Sequence, residues 1–328
     1  MSGALQHAWL RRGPLACLLW PVSLLYGVVA AVHRQLYARG ARRIERLPVA
    51  VIVVGNVVAG GAGKTPVVIE LVQHLRHRGL KVGVVSRGYG RTDTGCREVR
   101  REDDAALSGD EPLLIRRRTD APVFVARRRA EAGRALLAAY PQTEVIVSDD
   151  GLQHHALARD IEICVFDTRG VGNAWLLPAG PLREPWPRPV DLVLRAARAP
   201  VAGHELRRSL GDTAGRADGT RMPLAGLRGR PVHAVAAIAQ PESFFAMLRE
   251  VGIDVAQATA LPDHAGFEGF TAGAATLVCT EKDAAKLWRT QPGAWAVPLE
   301  VEIDAAFWRT LDRLLDAKLS SAHGSPPA

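Results

Sequence analysis

Residues 49–66 read Val49-Ala-Val-Ile-Val-Val-Gly-Asn-Val-Val-Ala-Gly-Gly-Ala-Gly-Lys-Thr-Pro66, and this stretch decides the fold. A β-branched apolar run, Val49 to Val54, reads as a buried strand. A glycine-rich turn follows, then Lys64 and Thr65, with Pro66 where a helix can begin. Glycines let backbone N–H groups approach phosphate oxygens. The segment Gly60, Gly61, Ala62, Gly63, Lys64, Thr65 and Pro66 is therefore the candidate nucleotide cradle. Lys64 supplies a point charge for the β- and γ-phosphates, and the Thr65 hydroxyl a ligand for Mg²⁺. Position 58 is Val where the strict phosphate-loop pattern needs Gly, so the loop is a variant. The bland alternative is a strand-to-helix turn with an incidental lysine. Composition weighs against it: of 42 basic residues, only Lys64, Lys81, Lys282, Lys286 and Lys318 are lysines. In so arginine-rich a chain, a lysine here indicates chemistry that requires the compact ammonium.

The chain has 328 residues, 48% of them apolar and 23% charged. That length suggests about two domains, and that balance excludes wholesale disorder. The net charge of +8 points to acidic partners. The arginines are dispersed and aromatics are only 5%, so no stacking platform for nucleic acid is expected. Cys17, Cys96, Cys164 and Cys279 lack metal-ligand spacing and read as small buried residues in a reducing compartment.

Residues 13–32 carry no formal charge and follow Arg11-Arg12. They approach the ~20 residues that cross a bilayer as a helix. Arg34, Arg39, Arg42, Arg43 and Arg46 come next. A cleaved signal peptide would export the phosphate loop away from nucleotide. A true span would be interrupted by Pro21. An embedded or interfacial anchor, with Trp20 and Tyr26 near headgroups and arginines on anionic lipid, fits best. A buried helix of the soluble domain is the plain alternative.

Beyond the loop, Val82–Ser86, residues 122–125, residues 144–148, Ile161–Phe166 and residues 190–194 read as strands. Residues 67–78 and 127–139 read as helices between them. The expected fold is α/β: a phosphate-loop NTPase-like, mostly parallel sheet flanked by helices. A smaller C-terminal α/β domain and an N-terminal membrane-associated helix complete it. The expected boundaries are 1–46 for the helix and basic flank, 47–197 for the kinase-like domain and 198–230 for a linker. The smaller domain takes 231–319, and 320–328 is a disordered tail.

Chemistry in an open parallel sheet gathers at the carboxyl ends of strands. Asp149 and Asp150 end one and meet the need for a carboxylate near Mg²⁺; Asp167 ends a rival. Gln153, His154 and His155 follow the first pair. Asp110 and Glu111 lie in a turn where, taken alone, a helix cap explains them. His264 reads locally as a solvated loop residue. Arg87 and Tyr89 sit in a glycine-rich loop, and Arg183 and Glu184 in a stiff proline-flanked one.

Seven motifs together, GNVVAGGAGKTP (55–66), VSRGYGR (85–91), GDEP (109–112), SDDGLQHH (148–155), LPAGPLREP (177–185), PDH (262–264) and TEKDAAKL (280–287), resemble the tetraacyldisaccharide 4′-kinase family of lipid A biosynthesis. The resemblance covers nearly the whole chain. It implies an ATP- and Mg²⁺-dependent lipid kinase on the cytoplasmic face of a bacterial inner membrane. The γ-phosphate would pass to the 4′-hydroxyl of an acylated disaccharide 1-phosphate. By the same resemblance, Asp110 takes the hydroxyl proton with His264 assisting. Thr65, Asp149 and Asp150 would form the metal shell. Arg87, Tyr89, Arg129, Gln153, His154 and Glu184 would contact nucleotide or lipid. The run 127–129 leaves the corresponding arginine ambiguous.

Two rival classes remain to be weighed. A guanine-nucleotide switch needs [NT]-K-x-D, and Thr280-Glu-Lys-Asp283 has another order. An ATP-driven switch stays open at this point; it would hydrolyse nucleotide with no lipid acceptor. No protein-kinase H-R-D or D-F-G segment occurs.

Overall fold

The structure, a computed structural model, describes residues 8–271, 273 and 275–323. Strands β1 (Ala50–Gly55), β2 (Val82–Ser86), β3 (Arg97–Val99), β4 (Val123–Val125), β5 (Val145–Asp149), β6 (Ile161–Phe166), β7 (Leu192–Ala196) and β8 (His204–Leu210) come first. They are followed by β9 (Thr213–Gly215), β10 (Arg221–Pro223), β11 (Val232–Ala236), β12 (Val255–Ala260), β13 (Thr276–Thr280), β14 (Trp295–Val297) and β15 (Leu299–Ile303). A nine-stranded sheet has the order β15-β8-β7-β6-β1-β5-β2-β4-β3, and a six-stranded one the order β10-β9-β14-β13-β11-β12. The large sheet is parallel from β8 to β4 with antiparallel edges at β3 and β15.

Strand β1 lies mid-sheet and is buried at all its positions. Continuous Val/Ile runs are what a strand covered by helices on both faces requires. Helix α1 (Pro14–Ala38) precedes it, and α2 (Lys64–His77), α3 (Ala105–Ser108), α4 (Asp110–Thr119) and α5 (Arg129–Ala139) belong to the large unit. Helices α6 (Pro241–Glu250) and α7 (Glu281–Leu287) flank the small sheet, and α8 (Ala305–His323) ends the described chain.

Three expectations need correction. The segment 198–230 is not a linker: it carries β8, β9 and β10. Strand β8 alternates buried Leu206 and Leu210 with exposed Arg207 and Ser209, a half-buried pattern that its arginines mask. The small unit also ends sooner than expected. Strand β15 pairs antiparallel with β8, and Val301, Ile303, Phe307, Leu311 and Leu315 pack into the core of the large sheet. The chain thus crosses between units at 211–212 and again at Pro298, where Gly211 N–H donates to the Pro298 carbonyl at 2.9 Å. Residues 320–323 lie in α8; the rest of the expected tail lies outside the described residues.

Helix α1 runs through Pro21 and docks along one face. Ser23 Oγ donates to the Leu176 carbonyl and accepts from Ala179 N–H, both at 2.9 Å. The Tyr26 hydroxyl donates to the Arg183 carbonyl at 2.8 Å. Leu15, Leu18, Val22, Leu25, Val29 and Val32 form the opposite, exposed row at helical spacing. All four cysteines are free, and Cys17 is exposed rather than buried.

Candidate active site

The loop after β1 turns into α2 through Gly63, whose φ of +66° is left-handed. Glycine adopts this without the Cβ penalty, and a Cβ there would lie 2.6 Å from Arg208 Nη2. Lys64 Nζ sits 3.3 Å from both Asn56 Oδ1 and Asp150 Oδ1. Thr65 is buried in the first turn of α2. Residues 61–66 line a cavity of about 140 Å³ between the two units, which Ile69, Ala239, Phe244 and Lys282 also line. Gly60 turns away from that cavity, toward Arg169.

Asp149 ends β5 directly beside β1. Its Oδ2 accepts from Ser86 Oγ at 3.2 Å, and its buried Oδ1 has no partner among the described residues. Burial, then Glu111 and Asp150, pushes this carboxyl up to about 7. Asp150 behaves oppositely: desolvation would raise it, but Lys64, Arg183 and Arg129 hold it at about 2. Of the three arginines 127–129, only Arg129 is buried. It donates to the Asp149 carbonyl at 3.1 Å and the Asp150 carbonyl at 2.6 Å, fixing the backbone that presents both carboxylates. Among the described residues no three His, Cys, Asp or Glu side chains form a preformed metal cage. An orphaned buried carboxylate oxygen beside a phosphate loop nevertheless fits Mg²⁺, which takes one or two carboxylates and completes its shell with phosphates and water.

Asp110 opens α4 on the large unit while Gly109 takes the cap position, so capping does not explain it; with His264 and Lys286 it lines a second cavity of about 240 Å³, whereas its neighbour Glu111 lines that of the loop. His264 is no solvated loop residue either. Its φ is +63°, and Nδ1 lies 3.1 Å from Asp110 Oδ2. Lys286 Nζ donates to the same Oδ2 at 2.7 Å and to the His264 carbonyl at 3.1 Å. Burial would raise the Asp110 carboxyl, but His264, Lys286 and Lys282 outweigh it and hold it below the usual carboxylate value. Lys282 pairs with Glu111 at 3.3 Å and Asp263 at 3.6 Å.

The remaining candidates divide. Tyr89 is exposed, with its ring 5.2 Å from that of His264; Arg87 is exposed nearby. Gln153 Nε2 donates to the Asn56 carbonyl at 3.0 Å and to Glu184 Oε1 at 2.7 Å. Glu184 is buried, not exposed as its loop suggests, because it braces Gln153 and Arg188. His154 Nε2 is buried without a partner among the described residues; burial and the arginines around it push this imidazole down to about 4. Sequence reasoning missed Lys286, Arg208 and Gln240. Arg208 donates to the Ala62 carbonyl, and Gln240 Nε2 donates to Asp167 Oδ2 at 2.6 Å. The scarcity of lysine was the one local signal for Lys286.

A family profile described as tetraacyldisaccharide-1-P 4′-kinase matches residues 15–316. The tetraacyldisaccharide 4′-kinase of Acidovorax sp. (strain JS42) is 58% identical, over 98% of this chain and 97% of its own. That of Delftia acidovorans is 55% identical over 95% of each chain. The crystal structure of LpxK from Aquifex aeolicus in complex with ATP superposes with a TM-score of 0.79 at 28% identity, covering 92% of this chain and 99% of that one. With its fold, its phosphate loop and its full length so matched, the chain belongs to the tetraacyldisaccharide-1-P 4′-kinase family.

Proposed function

We propose that the chain transfers the γ-phosphate of ATP to the 4′-hydroxyl of a tetraacyldisaccharide 1-phosphate, at a membrane surface. The observation that carries this reading is the pairing of Asp110, on the large unit beside Glu111 of the loop's cavity, with His264 of the small unit, 3.1 Å apart. A switch that only hydrolyses nucleotide has no use for a base built from two separate units.

The loop 61–65 offers its N–H groups to phosphate oxygens, and Lys64 neutralises charge on the transferring group. Thr65 and Asp149 would hold Mg²⁺, with Asp150 beside them. Bound there, the ion would neutralise negative charge on the nucleotide phosphates. Asp110, kept ionised by its cationic neighbours, accepts the acceptor's hydroxyl proton while His264 fixes its orientation. Because His264 comes from the small unit, the base is complete only when the units meet, which keeps water from competing as acceptor.

The acceptor is a lipid, and α1 supports delivery from a membrane. Its docked face rules the helix to the protein surface, which favours lying in the interface over crossing it. Its exposed apolar row faces outward, and Arg39, Arg42 and Arg43 follow, exposed. Since ATP is cytoplasmic, the face assigned is the cytoplasmic one of the inner membrane.

The test is Asp110→Ala: MgATP binding, read by calorimetry, stays within about threefold while lipid phosphorylation falls at least about 100-fold. Near-normal lipid phosphorylation by this variant removes Asp110 from the role.

A further inference from the structure

We infer that Lys286 is a positioning residue for phosphate transfer, holding the Asp110–His264 pair so that one defined carboxylate oxygen faces the acceptor. The inference rests on the kinase reading above.

Lys282 and Lys286 are four residues apart on α7, so they share one face of the helix. That face meets the acidic first turn of α4, where Asp110 and Glu111 lie. The orientation of α7 is tightly set. Thr280 Oγ caps it, accepting from Asp283 N–H at 3.2 Å and donating to Asp283 Oδ2 at 2.6 Å. Asp283 Oδ2 also accepts from Ala237 N–H at 3.1 Å, tying the helix to the end of β11. The lysine therefore arrives from a fixed support rather than from a loop.

Its ammonium does two things at once. It donates to Asp110 Oδ2 at 2.7 Å, the oxygen that His264 Nδ1 approaches at 3.1 Å. It also donates to the carbonyl of His264 at 3.1 Å. His264 holds a left-handed φ of +63°, a conformation that is unfavourable for a residue with a Cβ. The bond from Lys286 and the bond from His264 N–H to the Ala237 carbonyl, 3.0 Å, hold that conformation. Both contacts converge on Oδ2, and Asp110 Oδ1 has no partner among the described residues. Oδ1 is then the atom left to receive a proton.

In the balanced step, the acceptor O–H bond breaks and its proton passes to Asp110 Oδ1. The freed oxygen forms a bond to the γ-phosphorus as the bond to the β-phosphate oxygen breaks, and ADP leaves with that electron pair. Lys286 touches neither substrate in this scheme. It sets which oxygen is presented and adds a positive charge that favours the ionised carboxylate. The other titratable groups facing Asp110 are His264, Lys282 and Asp283 of the small unit and its neighbour Glu111, with Asp104, Glu268 and Arg289 lining the same cavity.

The experiment compares wild type, Lys286→Met and Lys286→Arg in label transfer from γ-labelled ATP to tetraacyldisaccharide 1-phosphate in mixed micelles, from pH 5 to 9. For Lys286→Met we expect kcat to fall about 10- to 100-fold, with KM for ATP within about threefold. Its acidic limb should move to higher pH, because removing a cation beside Asp110 favours the protonated carboxyl. Lys286→Arg, which keeps charge but not shape, should return the acidic limb toward wild type. A partly unfolded variant lowers the rate equally at every pH, so the position of the limb separates positioning from folding. An unmoved limb in Lys286→Met, at any rate, overturns the inference, as does a kcat within about twofold of wild type. Absence of lipid labelling by wild type itself would refute the kinase reading instead.

Discussion

Gly61→Ala is a wedge between the two units, and its effect follows from the contacts at their junction. Gly61 is not among the positive-φ residues, so alanine there meets no backbone strain. Its N–H, available for phosphate, is retained. The added Cβ would, however, lie 2.7 Å from Ala239 Cβ of the small unit. Carbon atoms pack at about 3.5–4.0 Å, so the units must part by about 1 Å at this contact. The bonds from Gln240 to Asp167 and to the Gly61 carbonyl sit at the same junction and would be lengthened. A displacement of about 1 Å in a reacting geometry costs on the order of 100-fold in rate, or about 2.7 kcal/mol. The remedy is specific. After Ala239 itself loses its Cβ, the nearest atom to the new methyl is Ala239 Cα at 4.0 Å, an ordinary contact. Steady-state lipid phosphorylation should therefore fall about 100-fold in Gly61→Ala and return to within about fivefold of wild type in Gly61→Ala/Ala239→Gly. Normal activity in the single variant, or no recovery in the double, refutes closure as the source of the effect.

Three further outcomes follow from the same geometry. Ser23→Val strands the Leu176 carbonyl and the Ala179 N–H that Ser23 Oγ satisfies; it should cost about 1–3 kcal/mol, seen as a lower thermal midpoint. Leu18→Glu/Leu25→Glu places charges at positions 76% and 66% exposed; the variant should move from the membrane pellet to the supernatant while unfolding as wild type does. Burial raises the Asp283 carboxyl to about 6, above its unfolded value near 4. Its contribution to stability is then present below about pH 4 and lost as pH rises through about 6. Asp283→Asn keeps an acceptor oxygen and removes this titration. The urea midpoint of wild type relative to the variant should fall between pH 4 and 7; a constant difference would contradict the assignment.

What was legible in the sequence was local. The strand, turn and helix of residues 49–66 and the aspartates ending β5 announce themselves because each signal lies within a dozen residues. The strands Val82–Ser86 and Ile161–Phe166 carry a similar apolar signature and fall where expected. Strand β8 escaped because an edge-side strand alternates, and its outward positions are arginine and serine. The return of β15 and α8 to the large sheet is set by pairing with β8 about ninety residues earlier, which no window along the chain contains. Lys286 belongs to the same class: its partner Asp110 lies 176 residues away. Local reading also misjudged Glu184, whose loop is polar but whose carboxylate is buried as a brace.

The central claim is that this chain phosphorylates a lipid hydroxyl rather than hydrolysing ATP. Its most direct test incubates the wild-type chain with γ-labelled ATP, Mg²⁺ and tetraacyldisaccharide 1-phosphate in micelles, alongside the same acceptor lacking its 4′-hydroxyl. The account predicts label in the intact lipid only when that hydroxyl is present. Label released as free phosphate at the same rate with either acceptor would contradict it.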